Sequence, residues 1–318
     1  MPTLMRVVRV REPGDPDVLE VALRPLPEPG PGEVRIRVAA MGVNRADALQ
    51  RRGVYPAPPG VAPDVPGLEV SGEIDAVGPS RGPGPAVGDR VMALLAGGGY
   101  AEHVVVHARE VVPVPAGWSM IEAAAAMEAY LTAFDALFER GGARPGERVL
   151  VTAVGSGVGL AVVQLARAAG IVTHGTSRTA DKLVRAAAVG LHHGVLAGAA
   201  LPEVDLTIDL VGGRGVEDLL RALAPRGRLV LVGLLAGATA TLPLGLLLAR
   251  RLRVEGTVLR SRPLEEKIAL IQAFAARGLP LLGAARPVLD TVFPATEAAA
   301  AHRRMEADTS FGRIVLAW

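Results

Sequence analysis

Apolar and polar positions follow two different rhythms along this chain. In the first third they alternate or run in short blocks, as in RVVRV (6–10) and EVRIRVAA (33–40), which is the period of strands. VSGEIDAVG (70–78) and GDRVMAL (88–94) read as two more strands, and YAEHVVVHAREVVPVP (100–115) adds others. Proline and glycine punctuate 25–32, 56–67 and 79–88, the chemistry of turns. No long amphipathic helix is expected before Ser119, so the first part reads as a small, mostly β domain.

The rhythm changes at Ser119. SMIEAAAAMEAYLTAFDALFERGG reads as one strong helix, capped by Ser119 with Glu122 three residues on, and ended by Gly141 and Gly142. Strand and helix then alternate. ERVLVTAV (147–154), IVTHGT (171–176), VDLTIDLVGG (204–213), RLVLVGL (228–234) and LRVEGTVL (252–259) read as strands. GVGLAVVQLARAAG (157–170), TADKLVRAAAVG (179–190), VEDLLRALAPRG (216–227) and LGLLLARR (244–251) read as helices. That order specifies a doubly wound parallel sheet. A helix at 264–278, a strand at 287–289, a helix at 296–307 and a strand at 312–316 close the chain and are expected to rejoin the first domain. The fold class expected is α/β.

Composition fits this picture. At 318 residues the chain exceeds one ordinary hydrophobic core, and half of it is apolar with 3% aromatic residues. Lys plus Arg total 34 against 32 Asp plus Glu, with no long basic run, so a nucleic-acid or membrane-surface role has little electrostatic support. There is no cysteine, which excludes disulfides, thiolate metal sites and cysteine nucleophiles. The N-terminus is too charged for a signal peptide. The uncharged stretch 229–249 is long enough to span a bilayer, but its glycines, threonines and proline read as strand, loop and short helix. A cytoplasmic protein is expected. The six histidines form no metal spacing, and adjacent His192 and His193 read as loop residues.

The first chemical signal lies between the strand ending near Val154 and the following helix, where the chain reads Ala153-Val154-Gly155-Ser156-Gly157-Val158-Gly159. Small residues let a pyrophosphate approach the backbone and the helix N-terminus, and Gly159 would let the helix pack closely on the sheet. Counted from Gly155, the G-x-G-x-x-G pattern is imperfect, because Leu160 stands where its last glycine would fall. The second signal is the tip of the next strand. A site for NAD usually has an acid there for the ribose 2′-hydroxyl. Here Gly175-Thr176-Ser177-Arg178 is followed by Lys182, with no acid at the tip, and Ser177, Arg178 and Lys182 can donate to a 2′-phosphate. Asp181 is expected on another helix face. The cofactor expected is NADPH. The plain alternatives are a structural turn and a solvated helix start.

Longer motifs carry a resemblance. Val43-Asn44-Arg45-Ala46-Asp47, Gln50–Tyr55 (QRRGVY), PGLEVSG (66–72), GDRV (88–91), GGGYAE (97–102), Leu131-Thr132-Ala133-Phe134, Ser156-Gly157-Val158-Gly159 and GRIVL (312–316) together resemble the zinc-free, zeta-crystallin-like quinone oxidoreductases of the medium-chain dehydrogenase/reductase superfamily. The branch most resembled is that of the tumour-suppressor-inducible quinone oxidoreductase. The resemblance implies a GroES-like catalytic domain (1–121, completed by 263–318), a Rossmann domain (122–262), a cleft between them, NADPH and a homodimer. Where zinc-dependent relatives have Gly-His-Glu this chain has Gly67-Leu68-Glu69, and where they have a first zinc cysteine it has Asn44. The stretch 190–204 lacks the tyrosine that some relatives place near the adenosine phosphate.

Reduction of a quinone or an activated alkene needs few protein groups, since the cofactor carries the hydride. Asn44 and Tyr55 are the candidates in the first domain, for the nicotinamide ribose or substrate oxygen and for proton donation respectively. Family likeness adds Ser156 beside Tyr55 in the cleft, and Thr132 against the nicotinamide. Val211, Gly212, Gly233 and Leu234 end two strands where the nicotinamide amide should meet backbone. Each has a plainer reading: Asn44 closing a turn, Tyr55 packing, Thr132 bonding to its own helix. Asp47 reads as a structural hydrogen-bond partner. The expected activity is NADPH-dependent quinone reduction. Reduction of enones or 2-alkenals, and a weakly catalytic nucleotide-binding protein with a structural or RNA-binding role, stand as alternatives.

Overall fold

The alternation of the first third becomes sheet in the computed structural model, which describes residues 3–80, 82 and 84–318. Residues 81 and 83 of the turn-rich stretch 79–88, and the first two residues of the N-terminus, lie outside the described residues. In chain order the strands are β1 (Leu4–Val10), β2 (Leu19–Pro25), β3 (Glu33–Val43), β4 (Glu69–Val77), β5 (Arg90–Leu94), β6 (His103–His107), β7 (Val111–Pro113), β8 (Arg148–Val151), β9 (Val172–Ser177), β10 (His193–Leu196), β11 (Val204–Asp209), β12 (Leu223–Leu231), β13 (Arg253–Gly256), β14 (Leu289–Pro294) and β15 (Arg313–Ala317). The helices are α1 (Arg45–Arg51), α2 (Met120–Ala124), α3 (Met127–Phe134), α4 (Gly157–Ala168), α5 (Ala180–Val189), α6 (Val216–Arg221), α7 (Leu244–Arg250), α8 (Leu264–Ala273), α9 (Leu279–Leu282) and α10 (Ala298–Glu306).

By contacts the chain divides into two units. The first holds Met1–Glu128, Arg260–Ile271 and Arg286–Trp318; the second holds Ala129–Leu259 and Gln272–Ala285. In the first unit, β3 is the hub. It pairs antiparallel with β4, β6 and β15, giving the order β14-β15-β3-β4-β5-β7 with β6 on β3. Val34, Ile36 and Val38 point inward while the residues between them are more exposed, the period-two pattern of a strand with one buried face. They share a core with Val7, Val8, Met41, Ile74 and Tyr100.

A polar chain crosses that core. The Arg51 side chain, fully buried, lies 3.1 Å from His302 Nδ1; His302 Nε2 lies 3.1 Å from the Tyr100 hydroxyl; and Tyr100 donates to Asp47 Oδ2 at 3.2 Å. Because Arg51 can only donate, His302 accepts on Nδ1 and carries its proton on Nε2. Asp47 also accepts from the backbone N–H of Asn44 (2.8 Å) and of Gly67 (3.0 Å), the structural role expected of it. Burial, with Arg51 adding to it, pushes the His302 pKa down to about 3. Burial pushes Asp47 up to about 6 against its hydrogen-bond donors.

The second unit is a six-stranded parallel sheet ordered β10-β9-β8-β11-β12-β13. Counted within the unit this is 3-2-1-4-5-6, the doubly wound Rossmann order, and its switch point falls between β8 and β11. The architecture is therefore the expected one: a mostly β part and a doubly wound parallel sheet.

Several local readings change. The helix expected from Ser119 to Gly141 is three pieces, α2, α3 and a π-helical segment Asp135–Arg140. The expected cap is present, with Ser119 Oγ accepting from Glu122 N–H (3.2 Å) and Glu122 accepting from Ser119 N–H (2.7 Å). The break falls at Ala125–Ala126, two residues of high helix propensity, within the first unit; the chain passes to the second unit between Glu128 and Ala129, inside α3. His193 is not in a loop: it opens β10, an edge strand, and its ring stacks on His174 of β9 with centroids 4.6 Å apart. The predicted helix 216–227 stops at Arg221, and Pro225 and Gly227 lie within β12 where its pairing with β11 is irregular. The strand expected at 287–289 instead runs Leu289–Pro294. The uncharged stretch 229–249 is divided between β12, a loop and α7, and no described helix is long and apolar enough to cross a membrane.

Candidate nucleotide and catalytic sites

The turn after β8 is tightly determined. Ala153 adopts a left-handed conformation (φ 49°), an uncommon one for a residue with a Cβ. Val154 N–H bonds to Thr176 O on β9 (2.9 Å), and Ser156 N–H to Ala153 O (2.9 Å). Ser156 then caps α4, its Oγ accepting from Gly159 N–H at 3.1 Å. A Cβ on Gly159 would stand 2.7 Å from Val154 O and 2.8 Å from Ala153 O. The glycine that brings helix to strand is therefore Gly159, while Leu160 is core at 2% exposure. This corrects the count from Gly155. The third glycine is present, and the first two positions of the pattern are Val154 and Ser156. Gly157 and Val158 are the first residues of a 12-residue helix, so their N–H groups lack intrahelical acceptors and sit at its positive end. Gly175 supports the same turn from β9, since a Cβ there would meet Val154 Cγ2 at 2.7 Å.

At the tip of β9, Ser177 is buried and its Oγ accepts from Thr179 N–H (3.2 Å), the residue before α5. Arg178 is exposed and Lys182 half-buried in the first turn of α5. Asp181 turns towards Arg185, 4.0 Å away and one helical turn on.

A group that sequence reasoning missed orders the neighbouring tips. Asp209, 1% exposed at the end of β11, accepts from the Thr152 hydroxyl (2.7 Å) and from the N–H groups of Val211 (2.9 Å) and Gly212 (3.0 Å). Thr152 in turn accepts from Leu210 N–H (2.8 Å). Gly233 N–H bonds to Asp209 O (3.2 Å), and a Cβ on Gly212, at φ 68°, would lie 2.9 Å from Gly233 O. Val211, Gly212 and Gly233 are thus brought together, with these N–H groups committed to Asp209, and Leu234 beyond them is exposed. An acid closing a strand as Ile208-Asp209 was the available signal. Thr132 lies in α3 and is buried.

In the first unit, Asn44 precedes α1 and is buried in a charged cluster. Its Nδ2 donates to Glu69 Oε1 (3.0 Å), and its Oδ1 accepts from Arg313 Nη1 (2.9 Å). Arg313 also pairs with Glu69, whose other oxygen accepts from Glu128 N–H (2.9 Å). Tyr55 is half-buried on the loop after α1, and its hydroxyl makes no hydrogen bond among the described residues. Burial pushes its phenol pKa up; nearby Arg260 opposes this and Glu128 adds to it. Arg260 and Arg313 were not singled out from sequence, since arginine is common throughout the chain.

The donors do not fit zinc. Leu68 is apolar and buried, Glu69 has its oxygens engaged by Asn44, Arg313 and Glu128 N–H, and no three His, Cys, Asp or Glu side chains of the described residues converge. They do fit a dinucleotide: a capped helix N-terminus at the sheet's switch point, and a second strand tip bearing cations in place of an acid.

Comparison with known proteins agrees with this geometry. Residues 30–116 match the alcohol dehydrogenase GroES-like domain, and 157–276 match the zinc-binding dehydrogenase family. The chain is 32% identical to a quinone oxidoreductase of Lama guanicoe over 330 residues, 98% of this chain and 97% of that one. It also matches the pikromycin polyketide synthase component PikAII of Streptomyces venezuelae at 37% identity over 235 residues, 70% of this chain but 6% of that protein. Among solved structures, the quinone oxidoreductase of Thermus thermophilus, described with its NADPH complex, superposes with a TM-score of 0.84 at 37% identity, covering 99% of this chain and 100% of that one. The chain belongs to the medium-chain dehydrogenase/reductase superfamily of oxidoreductases.

Proposed function

We propose that this protein is an NADPH-dependent quinone reductase working without a metal. The observation that carries the cofactor is the acid-free tip of β9, where Ser177, Arg178 and Lys182 are the proposed donors to a 2′-phosphate. The Thermus and Lama relatives, both quinone oxidoreductases, support the substrate class. NADPH, when bound, supplies the hydride. Gly155, Ser156, Gly157 and Val158 hold the pyrophosphate at the positive end of α4, and Gly175 keeps the turn close to β9. Thr132, Val211, Gly233 and Leu234 receive the nicotinamide portion. Tyr55, its hydroxyl uncommitted, gives a proton to the reduced oxygen. Asn44, held between Glu69 and Arg313, supports the catalytic domain's side of the site.

The test is anaerobic steady-state oxidation of NADPH with a panel of quinones beside a panel of enones and 2-alkenals. Turnover of quinones with rates well above those for enones is expected. Activity on enones alone moves the substrate to activated alkenes. Tight NADPH binding without oxidation by either panel moves the protein to the nucleotide-binding, non-catalytic class.

We also infer a homodimer. All four residues of edge strand β13 are exposed, no strand of the described residues pairs with its outer side, and Leu244, Leu248, Val254 and Val258 are exposed apolar side chains of the same unit.

A further inference from the structure

We propose that Arg260 is a positioning residue for Tyr55: it fixes the loop that carries the phenol and stabilises the phenolate left when the phenol gives up its proton. This rests on the reading of Tyr55 as proton donor.

Arg260 is 6% exposed, and among the described residues no carboxylate ion-pairs with it. A buried guanidinium is usually matched by an acid, because desolvating the charge is expensive. Here its donors go to neutral acceptors instead. Nε bonds to Ala96 O (2.7 Å), Nη1 to Tyr55 O (3.2 Å) and Nη2 to Gln50 Oε1. Gln50 passes the constraint on by donating to Pro63 O at 3.0 Å. One side chain therefore ties α1, the Tyr55 loop and the 96–98 loop together. A Cβ on Gly97 would already lie 3.3 Å from Nη2, so glycine there leaves the guanidinium its room.

The guanidinium also lies over the ring. Arg260 Cζ lies 4.9 Å from the centroid of Tyr55. Besides fixing the loop, the guanidinium therefore sets a positive charge beside the ring. A charge held beside a phenol attracts the phenolate more strongly than the neutral ring. The charged groups around the pair are Glu128, which disfavours the phenolate, and Asp47, which attracts Arg260. Burial also disfavours the phenolate, which leaves Arg260 as the group opposing both.

In the step itself the Tyr55 O–H bond breaks and an O–H bond forms on the reduced substrate oxygen. The electron pair stays on the tyrosine oxygen, and solvent later returns the proton. Arg260 neither gives nor takes a proton; it lowers the cost of the charge that appears.

The experiment compares the wild type with Arg260→Met, Arg260→Lys, Tyr55→Phe and the double variant Tyr55→Phe/Arg260→Met. Arg260→Met should lower kcat about 30-fold, within the range of proton-transfer effects, and leave NADPH affinity within about twofold. In the Tyr55→Phe background the same change should cost less than about threefold, because the two act as one unit. Ultraviolet titration of tyrosinate, read as wild type minus Tyr55→Phe, should show the Tyr55 midpoint rising by about one pH unit in Arg260→Met. Arg260→Lys keeps the charge and loses the fork, so the midpoint should stay near the wild-type value while kcat recovers in part. An equal loss of kcat in both backgrounds, or an unmoved midpoint in Arg260→Met, overturns the proposal. Full activity in Tyr55→Phe overturns the proton-donor reading by itself, and the titration then still tests whether Arg260 sets the phenol.

Discussion

Replacing His302 with glutamine should change how the first unit responds to acid, by an amount set by two buried groups of opposite sign. His302 is held at a pKa of about 3 against an ordinary 6.5. Between those values the unfolded chain binds a proton that the native state refuses. Its contribution is therefore intact above pH 6.5 and is lost as pH falls, at about 1.4 kcal/mol per unit. Asp47 runs the other way. Its native pKa is about 6 against an ordinary 3.8, so its contribution is intact below 3.8 and is lost as pH rises to 6. Between pH 4 and pH 6 the two slopes cancel, and the pair leaves wild-type stability flat. In His302→Gln only the Asp47 slope remains. Losing the ring's hydrogen bonds to Arg51 or Tyr100 should cost about 1–3 kcal/mol at pH 6. Moving to pH 4 should shift the difference between the two proteins by about 2.7 kcal/mol in the variant's favour. The assay is urea unfolding at several pH values, followed by tryptophan fluorescence. Both tryptophans, Trp118 and Trp318, belong to the same unit as His302, so the signal reports the right structure. A difference that stays constant from pH 6 to pH 4 refutes the assignment of a neutral buried His302.

Three further outcomes follow from the second unit. Replacing Arg178 and Lys182 together with alanine should weaken NADPH binding about 100-fold or more and NADH binding within about threefold, since only the 2′-phosphate loses its charge-assisted donors; equal losses measured by fluorescence titration would remove the 2′-phosphate assignment. Gly159→Ala forces a methyl to 2.7 Å from Val154 O, and the overpacking should cost about 1–3 kcal/mol, read as a lowered midpoint of thermal unfolding by circular dichroism. An unchanged midpoint would mean that α4 can slide along the sheet at no cost. Val254→Lys on the exposed edge should convert the proposed dimer to monomer in sedimentation equilibrium, and wild-type protein that already sediments as a monomer rules that interface out.

Features whose physics is local were legible in the sequence. Ser119 with Glu122 announced a capping box, and an apolar run followed by small residues and a helix announced the turn at Ser156. Asp47 was read as a structural acceptor and proved to be one. Features that depend on partners distant in the chain were not legible. β10 has no buried apolar face to give it a period; its pairing with β9 makes it a strand. Pro225 and Gly227 argue against a strand, yet β12 accommodates them where its ladder with β11 is interrupted. The helix from Ser119 had every propensity to continue through Ala125 and Ala126, yet it breaks there, and nothing local in the sequence marks the break. Arg260 was one arginine among many until Gln50, Tyr55 and Ala96 were seen around it.

The cluster at Glu69 also sets a timetable for synthesis. Glu69 is wholly buried, and the cation that answers it is Arg313, 244 residues later. At about 5–20 residues per second a ribosome needs about 12–50 s to deliver that arginine. Until then β3 lacks its β15 neighbour and Glu69 has no counter-charge, so the first unit waits incomplete while the nucleotide-binding unit, which needs nothing beyond Ala285, can close first. The part translated first is the part finished last. A nascent chain stalled with residue 290 just clear of the ribosome should therefore resist protease across 129–285 and be cut freely before residue 120.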